Sequence, residues 1–99
     1  MRKPIIAGNW KMHKTVVESL DLVNSLKVSL GNVSPQDIGV VVAPVYTSLY
    51  PVYEVIRDHW IKLSAQNLFW EEKGAYTGEI SPTMLTACGC SYCIIGHSE

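Results

Sequence analysis

Short unbroken apolar runs alternate with amphipathic stretches along the whole chain. Lys3 to Gly8 is β-branched, apolar and short, which predicts a first, buried strand. Thr15 follows, with Glu18 three residues later, the pattern of a capping box that opens a helix. Val16, Leu20, Val23, Leu26 and Leu30 recur at helical spacing, and Glu18, Ser25 and Lys27 fall off that stripe. Gly31 offers a left-handed stop. Ile38 to Ala43 is apolar on both faces, as expected of a fully covered parallel strand. Pro44 ends it.

Tyr46 to Arg57 predicts a second helix, with Pro51 counting against its first turns. Ile61 to Ala65 predicts a third strand that delivers Gln66 and Asn67. Leu68 to Glu79 has no clear period and contains Gly74 and Gly78, so it reads as a long loop. Ser81-Pro82 opens a short helix with a capping hydroxyl and proline at the first helical position. Gly89 stops it, and Tyr92 to Ile95 predicts a fourth strand, again buried.

Strand and helix therefore alternate, which implies an α/β fold with parallel strands and right-handed crossovers. An open doubly wound sheet and a closed barrel both satisfy that order. A dinucleotide-binding sheet carries a glycine fingerprint after its first strand, and Gly8-Asn9-Trp10-Lys11 stands there instead, which favours the barrel. The chain's 99 residues make at most one modest domain.

Composition narrows the function classes. An apolar share of 47% with 17% charged residues is ordinary for a globular chain. A net charge of −1 argues against a nucleic-acid partner, which calls for a basic face. No apolar run reaches the length of a membrane span, and the run after Met1-Arg2-Lys3-Pro4 is too short for a secretion signal. Cys88, Cys90 and Cys93 are clustered and odd in number, which fits reduced thiols in a cytoplasm rather than a disulfide scaffold. Together with His97 they superficially suggest a metal site. Their spacing lacks the paired clips of structural zinc, so small packed thiols are the expectation. His13 and His59 have no partner pattern, and Trp10 and Trp60 read as packing residues.

Two strands end abruptly in polar, ionisable groups. The first presents Asn9 and Lys11, and the fourth presents His97 and Glu99. In parallel α/β proteins the C-terminal strand ends are where chemistry is done. Asn, Lys, His and Glu gathered there would suit an anionic, polarised substrate.

Four segments carry a specific likeness: Ala7-Gly8-Asn9-Trp10-Lys11-Met12, Ala65-Gln66-Asn67, Gly74-Ala75-Tyr76-Thr77-Gly78-Glu79-Ile80-Ser81-Pro82 and Ile95-Gly96-His97-Ser98-Glu99. In this order, and spread over the whole chain, they resemble the triosephosphate isomerase family. The resemblance implies a TIM (β/α)8 barrel, of which this chain supplies the first four strands and three helices. A complete barrel of this kind has eight strands in about 250 residues. The resemblance also implies interconversion of dihydroxyacetone phosphate and glyceraldehyde 3-phosphate through an enediolate, without metal or organic cofactor. His97 would be the electrophile, Lys11 the fixed cation, and Asn9 a partner to Lys11 and substrate. Glu99 would be a secondary carboxylate pairing with Lys11. Gln66 and Thr77 would belong to a loop region that braces a homodimer. The family's general-base glutamate follows the sixth strand and is not in this chain.

The resemblance further suggests that a helix starting at Ser98-Glu99 would favour a neutral His97 imidazole. A second expectation concerns the 99-residue polypeptide alone: a non-catalytic half-barrel that self-associates or complements a C-terminal half, because its edges and core face are open.

Overall fold

The computed structural model describes residues 2–99. Its order is β1 (Ile5–Asn9), α1 (Val16–Ser29), β2 (Gly39–Ala43), α2 (Tyr46–Ile56), β3 (Lys62–Ala65), α3 (Pro82–Ala87) and β4 (Tyr92–Cys93). The four strands are all parallel and lie side by side in chain order. A doubly wound sheet reverses its strand order about a switch point. Strict succession is the winding of a β/α barrel, here four strands wide.

Side-chain alternation divides β2 between two faces. Val40 and Val42 join the main core with Val23 of α1, Leu49, Val52 and Ile56 of α2, Leu63 of β3 and Leu85 of α3. Val41 and Ala43 are also buried, on the opposite face and outside that cluster. The two-faced apolar run thus does what its composition predicted. β1 does not: Ile5 is 56% and Ile6 60% exposed. The reading of β1 as a buried strand is corrected, because it pairs with β2 alone and its other side meets no strand among the described residues.

The predicted helix starts are present. Thr15 Oγ1 accepts the Glu18 N–H at 3.3 Å, and Glu18 Oε1 accepts the Thr15 N–H at 2.9 Å. Ser81 Oγ accepts the Met84 N–H, with Pro82 in the first turn. The end of α1 differs from expectation. Gly31 does not take a left-handed conformation. The Leu30 N–H reaches the Leu26 carbonyl at 2.9 Å, and the Gly31 N–H reaches that of Val28 at 3.1 Å. Tightening of the last turn satisfies the open carbonyls, so no left-handed residue is required. α2 runs through Pro51 without interruption, the carbonyl it leaves unpaired belonging to exposed Thr47.

β4 is shorter than predicted, two residues rather than four. The Ile94 N–H still reaches the Ala65 carbonyl at 2.9 Å, but Ile95 leaves the sheet and is 81% exposed. Among the described residues β4 pairs with β3 alone, and no strand on its other side holds its last residues.

Candidate active site

The C-terminal ends of β1, β2, β3 and β4 surround a cleft of about 420 Å³. Asn9, Lys11, His97 and Glu99 all line it, together with Gln66. Residues far apart in the chain are gathered because parallel pairing brings every strand end to one rim.

The first wall forms locally. Asn9 closes β1, and its Oδ1 accepts the Lys11 N–H at 2.9 Å. An asparagine side chain that mimics the backbone in this way stabilises a turn. Lys11 adopts the left-handed region, at φ 54°. A non-glycine residue there costs roughly 1–2 kcal/mol, so something must hold it. Beyond Asn9, Gln66 does so from β3's end: its Nε2 donates to the Lys11 carbonyl at 2.8 Å and to the Ala43 carbonyl at 2.7 Å.

Lys11 Nζ lies 3.2 Å from Glu99 Oε2. Hydrogen bonding and charge from Lys11 hold the Glu99 carboxyl below its ordinary value. Both side chains remain more than half exposed, so water screens the pair and leaves it exchangeable. An entering anion can therefore compete with Glu99 for the ammonium.

His97 Nε2 sits 2.6 Å from the Gln66 carbonyl oxygen. A carbonyl only accepts, so this ring nitrogen carries the hydrogen and donates. Nε2–H is thus held by the Gln66 carbonyl at the rim of the cleft. Ser98 and Glu99 are not helical among the described residues, so the expected helix start is not seen there.

Thr77 lies in the turn from Tyr76 to Glu79, well away from the lining of its own cleft. The loop around it is braced internally. The Phe69 and Tyr76 rings are 4.5 Å apart, the Phe69 N–H reaches the Ile80 carbonyl, and Thr83 Oγ1 donates to Glu72. Trp70 stays 78% exposed.

Sequence reasoning missed Tyr46 and Met12, which also line the cleft. The Tyr46 hydroxyl donates to the Asn67 carbonyl at 2.7 Å, and burial pushes its pKa up. Its position directly after the second strand was the available signal. The cysteines lie elsewhere. Cys90 is half-buried, and burial raises its thiol to about 11, the opposite of a reactive or metal-binding thiolate. Among the described residues no group of three or more His, Cys, Asp or Glu side chains is arranged to hold a metal. None of their helices is long and apolar enough to cross a membrane.

The succession of parallel strands and the rim cleft define a β/α-barrel protein with its polar site at the strand C-termini. The family model described as triosephosphate isomerase matches residues 4–99. A triosephosphate isomerase from Geotalea uraniireducens is 56% identical over 99 residues, covering 100% of this chain and 39% of that protein. One from Caldanaerobacter subterraneus is also 56% identical, with the same coverage. The crystal structure of triosephosphate isomerase from Bartonella henselae matches with a TM-score of 0.88 and 34% identity, over 98% of this chain and 39% of that one. The chain belongs to the triosephosphate isomerase family. It spans about 39% of the length of these relatives.

Proposed function

We propose that the complete protein carrying this segment interconverts dihydroxyacetone phosphate and glyceraldehyde 3-phosphate, in the cytoplasm, as a step of glycolysis and gluconeogenesis. The observation that supports it most is the convergence of Lys11 and His97 on one cleft, linked through Gln66.

The chemistry follows from charge. A carboxylate base takes a proton from the carbon beside the substrate carbonyl, and negative charge grows on that oxygen. His97 leaves the Gln66 carbonyl and donates its Nε2–H to the substrate oxygen. A neutral imidazole in this role is established chemistry of the family. Lys11 exchanges Glu99 for the substrate's negative charge, which a cation stabilises more strongly as water is excluded. The Asn9 carboxamide, its Oδ1 held by the Lys11 N–H, turns its donor end to the substrate. Return of that proton to the neighbouring carbon, with the hydroxyl proton relayed from one substrate oxygen to the other through His97, completes the isomerisation. Fixed donors stabilise the enediolate, so the reaction needs no metal or organic cofactor.

By family resemblance the base is a glutamate from beyond the sixth strand, outside residues 1–99. The barrel's remaining strands and the phosphate-binding turns would come from the same region. Residues 1–99 are then the N-terminal half of one barrel domain, and a homodimer forms around the Leu68–Glu79 loop. Exposed Trp70 suits such an interface, since a large aromatic is costly to leave in water. Thr77 and Gln66 would brace the neighbouring subunit there.

A coupled assay of purified full-length protein with either triose phosphate tests the reading. Turnover in both directions supports it. A folded, dimeric protein with no turnover of either substrate would overturn it.

A second reading applies to residues 1–99 expressed alone, as a non-catalytic half-barrel. The exposed Ile5 and Ile6 of β1, and Ile95 just beyond β4, favour it. Sedimentation should then show self-association, or uptake of an added C-terminal half. A monomer with sharp, cooperative unfolding contradicts it.

A further inference from the structure

Gln66 touches both chemical partners of the cleft with different parts of itself. Its side-chain Nε2 donates at 2.8 Å to the carbonyl of Lys11 and at 2.7 Å to that of Ala43. Its backbone carbonyl accepts from His97 Nε2 at 2.6 Å. One half-buried residue at the end of β3 therefore ties together the ends of β1 and β2 and the histidine beyond β4.

The side-chain contact has a specific consequence. Lys11 stands in a left-handed conformation that its side chain disfavours. Asn9 holds the N–H side of that residue, and Gln66 holds its carbonyl side. With both peptide groups pinned, the direction in which the lysine side chain leaves the backbone is set. A glutamine can do this because its carboxamide has two hydrogens on one nitrogen, enough for two carbonyl acceptors. Glutamate offers oxygens to the same two carbonyls and cannot donate, and methionine offers neither.

We infer that Gln66 is a positioning residue for the isomerisation: its carboxamide locks the left-handed Lys11 and so aims the ammonium, while its main-chain carbonyl sets the resting direction of the His97 donor. This role presupposes the isomerase reading above. It differs from an interface role because it acts within one subunit and through Lys11.

The test uses the full-length enzyme. Gln66→Met and Gln66→Glu should each lower kcat/KM on the order of 10²-fold, the usual effect of displacing a catalytic group by about an ångström. The dimer should persist in sedimentation. The deciding readout is a double-mutant cycle with Lys11→Met. If Gln66 acts through Lys11, adding Gln66→Met to Lys11→Met lowers kcat/KM by less than about threefold further. Multiplying losses would mean a merely structural role and overturn the inference, as would wild-type kcat/KM in both single variants.

Should neither variant fold, hydrogen exchange of the Gln66 side-chain amide in the wild-type protein decides. Slow exchange of both Nε2 hydrogens supports the clamp, and exchange as fast as in a free glutamine rejects it. A wild-type protein without turnover would reject the isomerase reading instead, and the exchange result would still report on the clamp.

Discussion

Lys11 Nζ and Glu99 Oε2 meet at 3.2 Å, joining the loop after the first strand to the segment after the fourth. The contact holds the Glu99 carboxyl below its ordinary value of 4.5, chiefly by the hydrogen bond from Lys11 and then by its charge. A lowered folded value means the pair's contribution is present above about pH 4.5 and fades as pH falls through the lowered value. NMR titration should place the Glu99 midpoint below 4.5, and Lys11→Met or high salt should return it toward that value. A midpoint at or above 4.5 in the unmodified protein contradicts the pairing.

His97→Ala in the full-length enzyme should lower kcat by 10²- to 10⁴-fold, the usual share of a positioned proton donor. Stability should change little, because His97 is exposed and its contact to Gln66 is a single hydrogen bond. Steady-state kinetics beside a denaturation curve separates the two effects. An unchanged kcat removes His97 from the mechanism.

Gly89→Ala should be strongly destabilising. Gly89 ends the turn after α3 at φ 95°, and a Cβ there would lie 2.1 Å from Tyr53 Cδ1. The left-handed backbone and the forced shift of a packed ring together cost about 2–4 kcal/mol. Urea unfolding measures this directly. A loss under about 1 kcal/mol would show that Tyr53 moves aside freely.

Ser19 and Ser48 carry buried hydroxyls without a hydrogen-bond partner, on α1 and α2 respectively. An orphaned buried hydroxyl costs rather than contributes. Ser19→Ala and Ser48→Ala should therefore leave stability unchanged or raise it by up to about 1 kcal/mol, helped by alanine's helix preference. A drop of more than about 1 kcal/mol in either variant would mean the hydroxyl is satisfied in solution.

Much of the architecture is legible in local sequence. The Thr15–Glu18 box, the Ser81-Pro82 start and the Gly89 stop act within one turn of chain, so the residues themselves specify them. The all-apolar run ending at Ala43 announces a strand covered on both sides, because each face must meet something dry. Asn9, Lys11 and His97 stand at strand ends, and the family motifs around them are what single them out as site candidates.

The remainder depended on contacts between distant segments. Lys27 falls off the apolar stripe of α1, yet its Nζ reaches the Val55 carbonyl at 2.9 Å in the last turn of α2, where a cation complements the open carbonyls. Nothing near Lys11 forecasts its left-handed backbone, since Asn9 and Gln66 hold it from opposite sides. The exposure of β1 also escaped the reading, because a strand's burial depends on its neighbours rather than its composition. Propensity and capping are short-range and are written in consecutive residues. Side-chain direction at a strand end, and which distant carbonyl takes its hydrogen bond, arise only when the sheet has paired.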